Sequence, residues 1–339
     1  MEDKEYSFHR DRWLVVQKFR AIGDAIFHMH AFHAIAAIAP RKCITLAIPN
    51  LDPVADLFID DPAIENIIKI GRRTTGRLKN VSLLAKEHFA RGWLLGGSRS
   101  YAYTFLLAGI KERLAYGDGW LQRQALTRSL YRPMAFPLPT KVAEKSWSFL
   151  EAHKIPRLPD GQKPVFSAHR LQCVFQQYAH LPRPWIAFGI GASALERHWP
   201  SACWSALAES LFQQCGAGTL FLCGGWQDLV SARQIAAMLH PGATVAYVIG
   251  EHLSTVAGLF HHADLFVGND SGLFNLAGAI NASPVVGLFG VSPVLTYLPH
   301  IIPVVPQEGM TLSMGSLTPT YVLETILNRC QITLNNAKQ

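Results

Sequence analysis

Three stretches of this chain place residues capable of chemistry directly behind short apolar runs. In the first, Trp13 to Phe19 leads through Lys18 and Arg20 to Gly23-Asp24, where a helical pattern opens. In the second, Pro184 to Phe188 leads into Gly189-Ile190-Gly191-Ala192-Ser193-Ala194, with Arg197 and His198 behind it. In the third, Leu265 to Val267 is followed by Gly268-Asn269-Asp270-Ser271-Gly272 and a small-residue helix from Leu273 to Ile280. A turn of this kind joins the carboxyl end of a strand to the amino end of a helix. Backbone N–H groups and the positive end of the helix dipole converge there, so an anion, above all a phosphate, is stabilised. Each residue also has a plainer use. Gly268 and Gly272 suit any tight turn, and Asp270 or Ser271 can cap the next helix. Asp24, kept ionised by a helix amino terminus and by Lys18, can accept a proton, or it can be an ordinary cap.

The elements that must position these residues alternate. Strand patterns at Cys43 to Ile48, Ile64 to Ile70 and Trp93 to Leu95 are separated by helical patterns at Val54 to Phe58, Leu78 to Ala90 and Tyr101 to Ala108. The alternation restarts at Pro184. Helical stretches at Ser201 to Cys215, Asp228 to Leu239 and Leu253 to His262 then separate strands at Thr219 to Cys223, Thr244 to Ile249 and Leu265 to Val267. Val285 to Phe289 follows as a strand and Tyr321 to Arg329 as a final helix. Such alternation predicts parallel sheets covered on both faces, and hence an α/β protein of two Rossmann-like halves. Leu114 to Leu150 reads as helical and basic, and Ile155 to Arg183 as irregular chain containing the linker, giving domains of 1–165 and 166–339. The three chemical stretches all fall at strand carboxyl ends, where open α/β sheets bind ligands.

With 49% apolar and 16% charged residues, 339 residues suffice for two cores of ordinary size. Charge is uneven: residues 1–150 hold 22 Lys and Arg against 14 Asp and Glu, and 151–339 hold 9 against 10. A basic half suits an anionic substrate or membrane surface, and no helix-turn-helix, zinc-finger or aromatic RNA-binding pattern supports nucleic acid. The run from Gly71 to Lys79, with Arg72, Arg73 and Arg77, reads as a solvated loop. Six cysteines without a CxxC spacing read as reduced thiols of a cytosolic protein. The charged start MEDKEYSFHRDR is no signal peptide, and no apolar window is long enough to span a bilayer. His28, His30 and His33 lie on one helix at spacings that do not converge, which argues against a metal. Trp199 reads as a packing residue.

Four motifs in order carry a resemblance that runs through most of the chain. They are Lys18-x-Arg20-x-Ile22-Gly23-Asp24, Gly191-Ala192-Ser193-x-x-x-Arg197-His198-Trp199-Pro200, Cys223-Gly224-Gly225-x-x-Asp228, and Asn269-Asp270-Ser271-Gly272-x-x-Asn275-x-Ala277-x-Ala279 continuing to Pro284-Val285-Val286-x-Leu288-Phe289-Gly290. In these the chain resembles glycosyltransferase family 9, the heptosyltransferases of the lipopolysaccharide inner core. The resemblance implies a GT-B architecture of two Rossmann-like domains facing a central cleft, the acceptor on the first and a nucleotide sugar on the second. It also implies inversion at the anomeric carbon without a metal or other cofactor, with ADP-heptose as donor.

The residues are compatible with that chemistry. Displacement at C1 needs one base for the acceptor hydroxyl, which Asp24 fits, and cationic or N–H partners for the departing diphosphate. Lys18, Gly191, Ala192, Ser193, Arg197, Gly225, Gln227, Asp270, Ser271, Gly272 and Asn275 are the donor-side candidates, and Gly23, Arg72, Arg73 and Arg77 the acceptor-side ones. Arg197 stands where the family usually has lysine, Asn275 where it often has histidine, and His30 where proline is frequent. Gln227 stands near an acidic position of some members. The expected partners are a nucleotide sugar and a lipid-linked or polysaccharide acceptor, met at the cytoplasmic face of the inner membrane by peripheral contact with an anionic leaflet. Two other classes fit the same plan: a nucleotide-sugar epimerase, and a non-catalytic relative that binds nucleotide sugars or carbohydrate.

Overall fold

A computed structural model describes residues 11–17, 21–49, 52–71, 74–95, 98–117, 120–131, 150–151, 153–158, 163–216, 218–280, 284–294 and 300–330. The chain divides into two compact units, Met1–Val165 and Phe166–Gln339. In the first unit the strands are β1 (Trp13–Gln17), β2 (Ile44–Pro49), β3 (Ile64–Ile70), β4 (Arg91–Leu95), β5 (Glu112–Gly117) and β6 (Arg128–Tyr131). The helices between them are α1 (Ile22–Ile38), α2 (Asp52–Ala55, extended by a 3₁₀ turn at Asp56–Phe58), α3 (Thr74–Lys86), α4 (Arg99–Leu107) and α5 (Trp120–Gln124). The six strands form one parallel sheet in the order β3-β2-β1-β4-β5-β6.

The second unit opens with helix α6 (Ala168–Tyr178). Its strands are β7 (Trp185–Gly189), β8 (Thr219–Gly224), β9 (Thr244–Ile249), β10 (Leu265–Asn269), β11 (Val285–Leu288) and β12 (Ile302–Val304). Its other helices are α7 (Ser201–Cys215), α8 (Leu229–Ala237), α9 (Leu253–His262), α10 (Gly272–Ala279) and α11 (Pro319–Arg329). This sheet is also parallel, in the order β12-β11-β10-β7-β8-β9. Counted from its own first strand, that is the same topology as the first sheet, the Rossmann order in which the chain runs outward twice from a central switch point.

Three sequence expectations need correction. The segment read as helical from Leu114 contains β5 and β6, and the segment read as linker contains α6. Glu112 to Gly117 and Arg128 to Tyr131 are the last two strands of the first sheet, where Glu112 is exposed and the sequence carries Arg113 and Arg128 in place of the unbroken apolar run that marks a central strand. Helix α6 buries Val174 and half-buries Leu171, Phe175 and Tyr178, with Phe175 against Trp185 and His262 and Tyr178 against Trp185 and Phe221; the His, Arg and Gln residues between these positions make its sequence look like loop. It packs on α9 at Gly258, where a Cβ would stand 2.8 Å from the Val174 side chain. The basic run at 71–79 is likewise helix from Thr74 onward.

The amino ends of the first sheet's strands are tied by charge. Arg12 donates through Nε to Glu65 (2.9 Å) and through Nη1 to Glu87 (2.6 Å), and Arg41 reaches the other Glu65 oxygen at 2.8 Å. Burial works against the Glu65 carboxylate, but bonds from Arg12 and Cys43 and the Arg41 charge outweigh it and hold its pKa below the usual value. A depressed carboxylate pKa stabilises the fold above the unfolded value, near 4.3, and that share is lost as pH falls through the folded pKa. The melting-temperature gap between wild type and Glu65→Gln should therefore be widest near neutral pH and close below about pH 4. A gap that stayed constant down to pH 3 would remove the ion pairs as its cause.

The helical histidines go separate ways. The His28 Nδ1 lies 2.6 Å from the Asp24 carbonyl, and His33 Nε2 lies 2.6 Å from Asp61 Oδ2. Burial pushes the His30 imidazole down to about 3, with His28 adding to the effect, so it stays neutral. Among the described residues no group of three His, Cys, Asp or Glu could hold a metal. No helix among them is long and apolar enough to cross a membrane.

Candidate active site

In the second sheet β7 and β10 lie side by side, and the chain leaves them in opposite directions, toward β8-β9 and toward β11-β12. Their carboxyl ends therefore flank the switch point, where the crevice of such a sheet forms. Gly189 and Gly268 face each other in register there. The Phe266 ring packs against both, since a Cβ at either would stand 2.6–2.7 Å from it. The loops that follow are the two that the sequence singles out.

Asn269, fully buried at the end of β10, joins them. Its amide donates to the Ile190 carbonyl at 2.7 Å, and its side-chain oxygen accepts from the Trp199 backbone N–H at 3.3 Å. One side chain thus fixes the loop after β7 and the His-Trp-Pro turn relative to β10. Trp199 is a packing residue: its indole donates to Leu317 O at 2.8 Å and meets Trp204 edge-on at 4.9 Å between centroids.

Arg197 closes a 3₁₀ turn at Leu195–Arg197, and its Nη1 lies 3.2 Å from Asp270 Oδ2. His198 Nε2 lies 3.1 Å from Ala192 O and holds the backbone that carries exposed Ser193. Of the two capping candidates, Ser271 is the cap of α10, accepting from Phe274 N at 3.4 Å. The amides of Gly272 and Leu273, in the first turn, precede the helix's own hydrogen bonds and point to where an anion would sit. Asn275 is buried, and its Nδ2 donates to Ser271 O at 2.7 Å. That side chain steadies the same turn.

The loop after β8 is built on Asp228. Its carboxylate is buried and accepts from Gly225 N at 2.9 Å and from Gln227 Nε2 at 3.3 Å. A Cβ at Gly191 would stand 2.4 Å from Asp228 Oδ2, and one at Gly224 2.8 Å from it. Only glycine lets the loops after β7 and β8 close on this carboxylate. Cys223 beside it is fully buried, and burial pushes its thiol far up, so it is no nucleophile.

In the first unit β1 occupies the equivalent place beside β4, and α1 starts just beyond it. The cap of α1 is Ala21, in extended conformation, so Asp24 is the third residue of the helix and not its cap. Asp24 is half-buried in the first turn, where the helix dipole favours its charge, and Gly23 before it is buried. Lys18, Arg72 and Arg73 lie outside the described residues. Arg77 falls on α3, where its side chain is outside them too.

The sequence model of glycosyltransferase family 9 (heptosyltransferase) matches residues 99–307, well over half of the chain. The chain belongs to glycosyltransferase family 9. Its fold is that of solved family 9 enzymes. Escherichia coli ADP-heptose lipopolysaccharide heptosyltransferase II is 23% identical, with 97% of this chain and 100% of that one covered at a TM-score of 0.77. A family 9 glycosyl transferase of Veillonella parvula is 18% identical over 97% and 98%, also at 0.77. The E. coli heptosyltransferase WaaC with ADP is 17% identical over 96% and 99%, at 0.71. No curated protein matches the chain by sequence. Two residues that hold the site's loops, Asn269 and Asp228, sit inside the motifs that carry the family resemblance, and their contacts emerge only in the fold. A polar side chain at the last position of an apolar strand was the available sign for Asn269.

Proposed function

We propose that this glycosyltransferase is inverting and metal-independent, and that it moves heptose from ADP-heptose to a saccharide of lipopolysaccharide or a related surface glycan. The observation that supports the reading is the α10 amino terminus, capped by Ser271, with Arg197 held beside it by Asp270 at the β7–β10 switch point. Such a set of donors suits a diphosphate. The names of the E. coli relatives, one an ADP-heptose enzyme and one bound to ADP, favour that donor.

In this mechanism Asp24 takes the proton of the acceptor hydroxyl as its oxygen attacks C1. The bond from C1 to the diphosphate oxygen breaks, and the charge that develops is met by Arg197, Lys18, Ser193 and the Ser271-Gly272 turn. One displacement inverts C1. Gly191, Ala192, Gly225, Gln227, Asp270 and Asn275 shape the donor side. Gly23, Arg72, Arg73 and Arg77 take the acceptor, with the first unit as acceptor domain and the second as donor domain. The basic first half suits a phosphorylated acceptor at the cytoplasmic face of the inner membrane.

Thermal shift over ADP-, UDP- and GDP-sugars, followed by turnover with a chelator present, tests this reading. A donor at about 100 times its Kd stabilises by about 2.7 kcal/mol, so ADP-heptose should raise the melting temperature by several degrees. The anomeric configuration of the product should be inverted. No response to any ADP-sugar, retained configuration or dependence on added metal would each overturn the corresponding part. An epimer formed without acceptor would point to an epimerase instead.

A further inference from the structure

The second unit carries one large aromatic side chain at a strand carboxyl end that neither packing nor the chemistry above uses. Trp226 begins the 3₁₀ turn Trp226–Asp228 after β8 and is 71% exposed. Its indole is nonetheless not loose. A Cβ at Gly250 would stand 2.3 Å from its Cε2, 2.4 Å from its Nε1 and 2.7 Å from its Cδ2, so the glycine backbone lies against the flat of the pyrrole ring. Gly250 is itself fixed, with a φ of +71° that favours glycine and an N–H donating to Gly224 O at 2.9 Å. The ring is thus propped from behind by backbone and turned outward on its remaining surface.

We infer that Trp226 is the platform on which the nucleobase of the donor stacks. This rests on the donor-site reading of the second unit. The strands set the spacing: β10, β7 and β8 are consecutive in the sheet, and two steps of about 4.8 Å carry the site from the α10 amino terminus to the loop that bears Trp226. A nucleotide with its diphosphate at the α10 amino terminus would extend its ribose and base across these strand ends toward that loop. An indole held flat by a glycine loses little freedom when a base covers it, and every base has a face to stack. Trp226 therefore supplies affinity for a nucleotide without choosing among bases. Its neighbour Gln227, exposed and folded over Gly225, is the adjacent polar group for the ribose or base edge.

Calorimetric titration of the full chain with ADP, UDP and inorganic pyrophosphate tests the assignment, using wild type, Trp226→Ala and Trp226→Phe. Trp226→Ala should weaken both nucleoside diphosphates about tenfold or more, and Trp226→Phe should stay within about threefold of wild type. Pyrophosphate, which has no base, should bind all three alike. Unchanged ADP binding by Trp226→Ala overturns the assignment. So does an equal loss of ADP and pyrophosphate, which would mean a disturbed loop. A wild type that binds pyrophosphate as tightly as ADP overturns the stacking alone, whereas one that binds neither overturns the donor-site reading and the stacking with it.

Discussion

Replacing Asp24 with Asn should lower kcat by about 10²–10⁴-fold while ADP-heptose binds as it does to wild type. The substitution keeps size and shape in the first turn of α1 and removes only the basic oxygen. Ala21 and not Asp24 caps the helix, so the change should cost the fold little beyond a first-turn charge that the dipole favours, about 0.3–1 kcal/mol. The comparison is therefore between two proteins that fold alike and differ in one proton acceptor. Single-turnover rates, donor titrations and melting temperatures measured together would check it. A variant that turns over at the wild-type rate would remove Asp24 from the mechanism. One that melts much lower would show its carboxylate to be structural after all.

The largest effect on stability should come from Asn269→Ala. The truncation strips the Ile190 carbonyl and the Trp199 N–H of their partner in a fully buried place. Each buried group left unpaired costs about 1–3 kcal/mol, so a loss of about 2–6 kcal/mol is expected. Donor affinity should fall with it, because the loop bearing Ser193 and the turn bearing Arg197 are then no longer tied to β10. Asn269→Asp makes a sharper control. It can still accept from Trp199 but sets an oxygen against the Ile190 carbonyl, so it too should be destabilised. Denaturant unfolding that places either variant within about 0.5 kcal/mol of wild type would contradict this account.

Much of the fold was legible because buried parallel strands and two-faced helices have plain periods. Ile64–Ile70, Ser201–Cys215, Thr244–Ile249 and Leu253–His262 stand as their apolar patterns predict, residue for residue. The pattern failed where burial is one-sided or slight. β5 and β6 carry charges near the sheet edge, β12 has Pro303 at its middle, and α6 sets its apolar Leu171, Val174, Phe175 and Tyr178 among exposed polar residues. At the candidate site, the loops could be read from glycines and caps, since their place at strand ends follows from the alternation itself. What those loops do to one another could not. That Asn269 bridges two segments, that Gly191 closes on Asp228, and that Trp226 rests on Gly250 are facts of contacts between residues 24 to 79 positions apart. No local period encodes them.

The pairing of Arg197 with Asp270 also decides which anions the site would admit. An anion that approaches Arg197 meets a cation already satisfied by a carboxylate 3.2 Å away, so it must outbid that carboxylate before it gains anything. Chloride or a lone carboxylate offers one charge for one charge and no advantage. A diphosphate brings more charge and several acceptor oxygens that engage the guanidinium fork and the α10 amino terminus together. On the proposed reading the ion pair would favour a diphosphate over a small monovalent anion. On the same reading Asp270 would pair with Arg197 again once the diphosphate has left.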